Sequence, residues 1–237
     1  MAWEGLTVLA VVPARGGSKG VPRKNIAEVG GQSLIARAAR VVKALPWIDH
    51  AVISTDDPDF VEEARRHGLD APFLRPAALA TDESTAQDAW AHAWLEAERH
   101  YGMRFGASVY LQPTSPFRTP ADVEATMRAM VEGGRAAACT VARVPGHFTP
   151  QKILRRDDAG VLSFNAPDGA AHKNRQTIPA YWYRTGYCYA ARRRTLVDNR
   201  HIVEEDCVGV PTEGAIVNID DPFELDVARW LAGRDGL

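Results

Sequence analysis

Leu6-Thr7-Val8-Leu9-Ala10-Val11-Val12 runs straight into Pro13-Ala14-Arg15-Gly16-Gly17-Ser18-Lys19-Gly20-Val21-Pro22-Arg23-Lys24-Asn25, an apolar stretch emptying into a loop with three glycines and four cations. A continuous apolar run closed by proline predicts a strand buried on both faces of a parallel sheet. In open α/β sheets ligands gather beyond the carboxyl ends of the strands, where this loop begins. Glycine lets backbone N–H groups reach phosphate oxygens, and Arg15, Lys19, Arg23 and Lys24 offset phosphate charge, so the loop suits a nucleoside triphosphate. Neither common phosphate fingerprint is present: Gly20, not Ser or Thr, follows Lys19, and the GxGxxG spacing is absent. The competing reading is a flexible basic surface loop.

The pattern around this stretch alternates. Leu34, Ala38, Val42 and Leu45 recur at helical spacing from a capping Ser33 to Pro46, then Ala51–Ser54 reads as a strand. Asp57-Pro58 opens a helix that Gly68 stops, and a short strand is expected around Pro72–Leu74. After Thr81-Asp82-Glu83-Ser84, residues Ala86, Trp90, Ala93, Trp94 and Ala97 form one apolar stripe, which makes the tryptophans core. Val109–Leu111 is a strand, Pro120 starts a helix with Val123, Met127 and Met130 inward, and Ala137–Val141 is the next strand. Such alternation predicts an α/β fold with a mostly parallel sheet. From residue 145 to 183 the rhythm breaks into a polar, turn-rich excursion, with Arg156–Gly160 as a hairpin turn between Ile153-Leu154 and Val161-Leu162. Strands are expected again at Tyr187–Ala190, Cys207–Val210 and Ile216–Ile219, followed by a helix over Pro222–Leu231. The reading is one domain over 1–237 carrying a small excursion over 145–183.

With 237 residues, 46% of them hydrophobic, the chain can bury one large core. A net charge of −2 provides no global basic field for nucleic acid or an anionic membrane. Cys139, Cys188 and Cys207 show no CxxC spacing, which fits a reducing cytoplasm, and no stretch nears a membrane span or a signal peptide. The seven histidines show no metal-ligand spacing.

Read together, the segments after the strands hold the remaining chemistry. Magnesium, the usual companion of a triphosphate, takes one or two carboxylates plus phosphate oxygens and water. Asp220 is the preferred ligand, whereas Asp221 reads first as a helix cap before Pro222 and second as a ligand. Gln112 stands before two prolines that stiffen its loop, a neutral donor and acceptor suited to sugar hydroxyls. Thr114 and Ser115 are candidate caps for the helix at Pro120, and Asp56 and Asp57 read as caps or, secondarily, as metal or ribose contacts.

Five pieces in order, Pro13–Gly20 with Lys24-Asn25, Ser54-Thr55-Asp56, Leu74-Arg75-Pro76-Ala77, Leu111–Pro116 and Ile219-Asp220, make the chain resemble the cytidylyltransferases that activate acidic keto sugars, notably the acylneuraminate (CMP-sialic acid) synthetases. The likeness runs nearly end to end. It implies a Rossmann-like nucleotide-diphospho-sugar transferase fold, a homodimer built through the excursion, CTP and Mg²⁺, an acidic sugar, and release of pyrophosphate. Carried over by position, Arg15, Gly16, Gly17, Ser18, Lys19 and Lys24 would hold the triphosphate, and Asn25 and Arg75 would contact the nucleoside. Gln112 would orient the sugar, Lys152 and Arg175 would approach it, and Tyr189 would line its pocket. Arg15, Lys19, Lys24 and Gln112 form the implied catalytic group; no general base is singled out. A guanidinium at 175 suits a planar carboxylate by paired hydrogen bonds.

Three positions depart from the family pattern. Asn218 stands where an aspartate is usual, leaving an amide oxygen as a weaker metal ligand; Tyr183-Arg184-Thr185-Gly186 replaces Arg-x-Asn-Gly; and Asn199-Arg200-His201 replaces aromatic residues of sialate-specific members. Another nonulosonate, an octulosonate, or a different nucleoside triphosphate therefore stays open, as does a non-catalytic nucleotide sensor suggested by Asn218 alone.

Overall fold

A computed structural model of the chain describes residues 3, 5–202 and 206–235. In chain order the principal elements are β1 (Val8–Pro13), β2 (Glu28–Val29), β3 (Gln32–Ser33), α1 (Leu34–Lys43), β4 (His50–Ser54), α2 (Pro58–Arg66), α3 (Ala86–Tyr101), β5 (Ala107–Tyr110), α4 (Pro120–Glu132), β6 (Ala137–Arg143), β7 (Leu154–Arg156), β8 (Leu162–Phe164), β9 (Trp182–Arg192), β10 (Cys207–Pro211) and α5 (Pro222–Asp235). The main sheet has the order β10-β6-β9-β5-β1-β4. β1 pairs in parallel with β4 and β5, with Val11 opposite both Val52 and Tyr110, and β9 pairs antiparallel with β5. The chain divides into two compact units, Met1–Thr140 with Thr185–Leu237, and Val141–Arg184.

Every residue from Val8 to Val12 is fully buried, because helices cover both faces of the sheet. Val8, Ala10 and Val12 join α1, Phe60 of α2 and Met127 of α4 in one core; Leu9 and Val11 pack with Trp90 and Trp94 of α3 in the other. Ser33, Asp57 and Thr85 cap α1, α2 and α3 by accepting the N–H of Ala36, Asp59 and Asp88. A third cluster joins Val21 at the end of the glycine loop to Val29, Leu34, Val217, Ile219 and Leu225. It draws the start of α5 back onto β1's loop, some two hundred residues away in the chain.

Three local expectations are corrected. Pro72–Leu74 is no strand: two residues beyond the Val52–Asp70 bridge, proline at 72 has no N–H to extend the ladder. Ile216–Ile219 lies outside the sheet, its Ile219 N–H spent on the Thr114 carbonyl at 2.8 Å. The cap of α4 is Thr119, in a reciprocal capping box with Asp122, rather than Thr114 or Ser115. In the second unit β7 and β8 form the hairpin, shifted one residue from expectation, with Leu154 opposite Phe164 and Arg156 opposite Leu162.

Trp90 carries the packing under β1 and β5, and its Nε1 donates to Ser108 Oγ at 2.8 Å in the interior. Trp90→Ala removes that volume and orphans the Ser108 hydroxyl; a loss of about 3–5 kcal/mol is expected in urea unfolding, and a loss below about 1 kcal/mol would contradict this packing role.

Candidate active site

The loop after β1 is shaped by what its glycines touch. The Gly16 N–H donates to Asp56 Oδ1 at 2.9 Å, and a Cβ on Gly16 would lie 3.1 Å from the Asp57 carboxylate. Asp57 thus caps α2 while Asp56 holds the loop, a division the sequence reading left undecided. At Gly20 a Cβ would stand 2.0 Å from the Asp220 carbonyl oxygen, so only glycine lets the loop meet the segment before α5. Asn25 Nδ2 returns to the Arg15 carbonyl at 3.1 Å and closes the turn.

A cavity of about 400 Å³ opens beside this loop, and Arg15, Ser18, Lys19, Lys24, Asn25, Arg75, Gln112 and Asp220 all face it. Residues from four segments that were separate in sequence therefore share one space. Lys24 Nζ donates to Asp220 Oδ1 at 2.9 Å and to the Ile219 carbonyl at 2.6 Å. Arg75 is buried, bonded through Nη2 to the Ser54 carbonyl at 2.6 Å and through Nε to Ser54 Oγ at 3.1 Å, and burial lowers its pKa from the usual arginine value. Gln112 is held from behind: Arg118, a buried residue, donates to its carbonyl at 3.0 Å and to Tyr187 O at 2.8 Å. Burial pushes the Arg118 pKa down to about 10. Gly186, at φ +76°, leaves room for the Gln112 side chain, whose Oε1 lies 2.7 Å from where a Cβ would be.

Other residues singled out in the sequence sit differently. Arg23 turns to α2, pairing with Asp59 at 2.7 Å and lying over the Phe60 ring, and so leaves the cavity with three of the loop's four cations. Gly16 and Gly17 form the loop but are not among the residues facing the cavity, nor are Asn218, Asp221 and Tyr189. Asn218 offers its nitrogen to Asp220 Oδ2 at 3.1 Å, while its Oδ1 is buried without a hydrogen-bond partner. Asp221 Oδ1 accepts the Glu224 N–H at 2.9 Å and caps α5, with Glu224 reciprocating to the N–H groups of Asp220 and Asp221. Tyr189 stands opposite Tyr110 across β5 and β9. Within the second unit, Lys152 Nζ bonds the His172 carbonyl at 2.6 Å, and Arg175 begins a 3-10 turn with its side chain outside the described residues.

The sequence reading missed Thr81, Asp82, Ser84, Thr85 and Tyr110, all of which face the cavity. Asp82 bonds Arg15 Nη2 at 2.9 Å and also Lys19, and the Thr81 carbonyl accepts from Arg15 Nη1 at 3.0 Å. The four-residue polar cluster before α3 was the available signal, read there only as the approach to a helix. Among the described residues no three His, Cys, Asp or Glu side chains gather as a metal cluster, and no helix is long and apolar enough to cross a membrane.

Comparison with known proteins shows the family and the fold. The CMP-N,N'-diacetyllegionaminic acid synthase of Legionella pneumophila is 29% identical over 227 residues, covering 93% of this chain and 91% of its own. The post-translational flagellin modification protein B of Campylobacter coli is 24% identical over 232 residues, 97% of each chain. A solved CMP:2-keto-3-deoxy-manno-octonic acid synthetase complexed with CTP superposes with a TM-score of 0.70 at 18% identity, covering 97% of this chain and 99% of its own, so the two share the same α/β fold. The sequence profile of the cytidylyltransferases matches residues 9–181, and the chain belongs to this family of nucleotidyltransferases.

Proposed function

We propose that the chain couples CTP to an acidic keto sugar of the nonulosonate class, releasing the CMP-sugar and pyrophosphate. One observation carries the reading: Arg15, Lys19, Lys24 and Asp220 face a single cavity at the carboxyl end of β1. The match of one relative named for CMP-N,N'-diacetyllegionaminic acid synthesis over 93% of the chain supports a nonulosonate. The sensor alternative rested on Asn218, but the amide of that residue braces the Asp220 carboxylate instead of replacing it.

In the reaction the anomeric hydroxyl attacks the α-phosphorus in line; the new O–P bond forms as the bond to the β-phosphate oxygen breaks, and the hydroxyl proton passes to solvent. Alignment and stabilisation of spreading negative charge supply most of the acceleration in such displacements. Arg15, Lys19 and Lys24 would neutralise the triphosphate and the departing pyrophosphate; Asn25 and Arg75 would hold the nucleoside; Gln112 would orient the sugar. An exposed carboxylate at Asp220, with its neighbour Asp221 committed to a cap, fits a magnesium ion held mainly by phosphate oxygens and water. Such an ion supplies charge neutralisation at the phosphates. The family resemblance, not the cavity, is what assigns Lys152, Arg175 and Tyr189 to the sugar, and the proposed assembly is a cytoplasmic homodimer joined through the excursion. Leu154, Leu162 and Phe164, exposed on one face of the β7–β8 hairpin, support that dimer.

Lys19→Ala and Asp220→Ala should each reduce pyrophosphate release by about 10²-fold or more with unchanged melting temperature, whereas Asp158→Ala, on the exposed hairpin turn, should match wild type. Wild-type turnover in Asp220→Ala would remove that residue from the site. Arg175→Ala should raise KM for the sugar with CTP affinity intact; a defect confined to CTP would contradict its assignment. Light scattering should find a dimer that Leu162→Asp converts to monomer, and a wild-type monomer would overturn the assembly.

A further inference from the structure

Asp82 engages two of the cations that line the cavity, Arg15 and Lys19. Its Oδ1 accepts from Arg15 Nη2 at 2.9 Å and its Oδ2 from Lys19, while the neighbouring Thr81 carbonyl takes Arg15 Nη1 at 3.0 Å. The carboxylate is presented from a built turn: Thr81 Oγ1 and Ser84 Oγ lie 2.9 Å apart, Ser84 Oγ donates to the Ala78 carbonyl at 2.9 Å, and Thr85 caps α3 directly afterwards. Hydrogen bonds from Lys19 and then Arg15 hold the Asp82 carboxyl below its usual pKa, so it is anionic throughout the physiological range.

These are the donors a phosphate oxygen needs. A guanidinium and an ammonium that converge on one carboxylate oxygen pair offer the same charge-assisted bonds to a phosphate, and cannot serve both fully at once. The pairs are also weak enough to exchange. Lys19's side chain is 81% exposed and that of Asp82 46%, and ion pairs so open to water contribute little, whereas a phosphate chain brings several charges. Resting on the nucleotidyltransfer reading above, we propose that Asp82 is an internal anion that positions Arg15 and Lys19 between turnovers and exchanges with the phosphates of CTP and of the departing pyrophosphate. It keeps the two cations extended over the cavity, and it returns to them as pyrophosphate leaves. The cost is a modest reduction in affinity for every polyphosphate; the gain is faster clearance of the product.

The test is calorimetric titration of inorganic pyrophosphate and of CTP into the full chain, with pyrophosphate product inhibition measured alongside. Asp82→Asn should bind pyrophosphate about three- to fivefold more tightly, with the inhibition constant falling by the same factor. Asp82→Glu, which keeps the carboxylate, should stay within about twofold of wild type, and so should Glu83→Gln, which removes the same charge from an exposed neighbour outside these bonds. Unchanged or weaker binding by Asp82→Asn overturns the exchange, as does equal tightening by Glu83→Gln, which would make the effect one of net charge. If wild type binds neither pyrophosphate nor CTP, the nucleotidyltransfer reading fails and takes this inference with it; if wild type binds both and Asp82→Asn is no tighter, the inference alone fails.

Discussion

The Lys24 ammonium, bonded at once to the Ile219 carbonyl and to Asp220 Oδ1, joins the first loop of the chain to its last segment, and the rest of the site depends on that junction. The contacts around it hold the two segments together. Gly20 lies against the Asp220 carbonyl too closely for any side chain, and Val21 and Ile219 are buried in the same apolar cluster. The hydrophobic contacts set the approach, the missing Cβ permits it, and the ammonium makes it specific. Ile219 is further fixed by its N–H bond to Thr114, which brings the Gln112 loop to the same place.

Buried guanidinium groups then serve as backbone braces. Arg118 bonds the carbonyls of Gln112 and Tyr187, Arg37 those of Pro116 and Val29, and Arg75 that of Ser54. None of these bonds is to a carboxylate, and burial lowers all three pKa values. The proline-rich turn after β5 has few N–H groups of its own for a ladder, so side-chain donors from elsewhere satisfy its carbonyls. The Gln112 turn is thus braced by Arg118 and Arg37, neither of which is among the residues facing the cavity.

Much of this was legible in residue order. The buried run through Val12, the caps Ser33 and Asp57, and the inward face of Val123, Met127 and Met130 follow from periodicity and capping chemistry acting over a few residues. Local reasoning failed where bonding was long-range. Ile216–Ile219 looks like a strand, yet its backbone is tied to a loop; Arg23 looks like a phosphate ligand, yet its guanidinium is drawn to Asp59 and over Phe60.

The sequence by itself determined the α/β architecture, the glycine and cation loop and its family, because hydrophobic period, turn chemistry and motif spacing are properties of neighbouring residues. Which cations share a cavity, which of Asp56 and Asp57 caps α2 and which holds the glycine loop, and that Asp82 engages Arg15 and Lys19, only the tertiary structure decided. Hydrogen bonds and ion pairs act over about 3 Å, and no pattern along the chain encodes which distant groups folding brings within that reach.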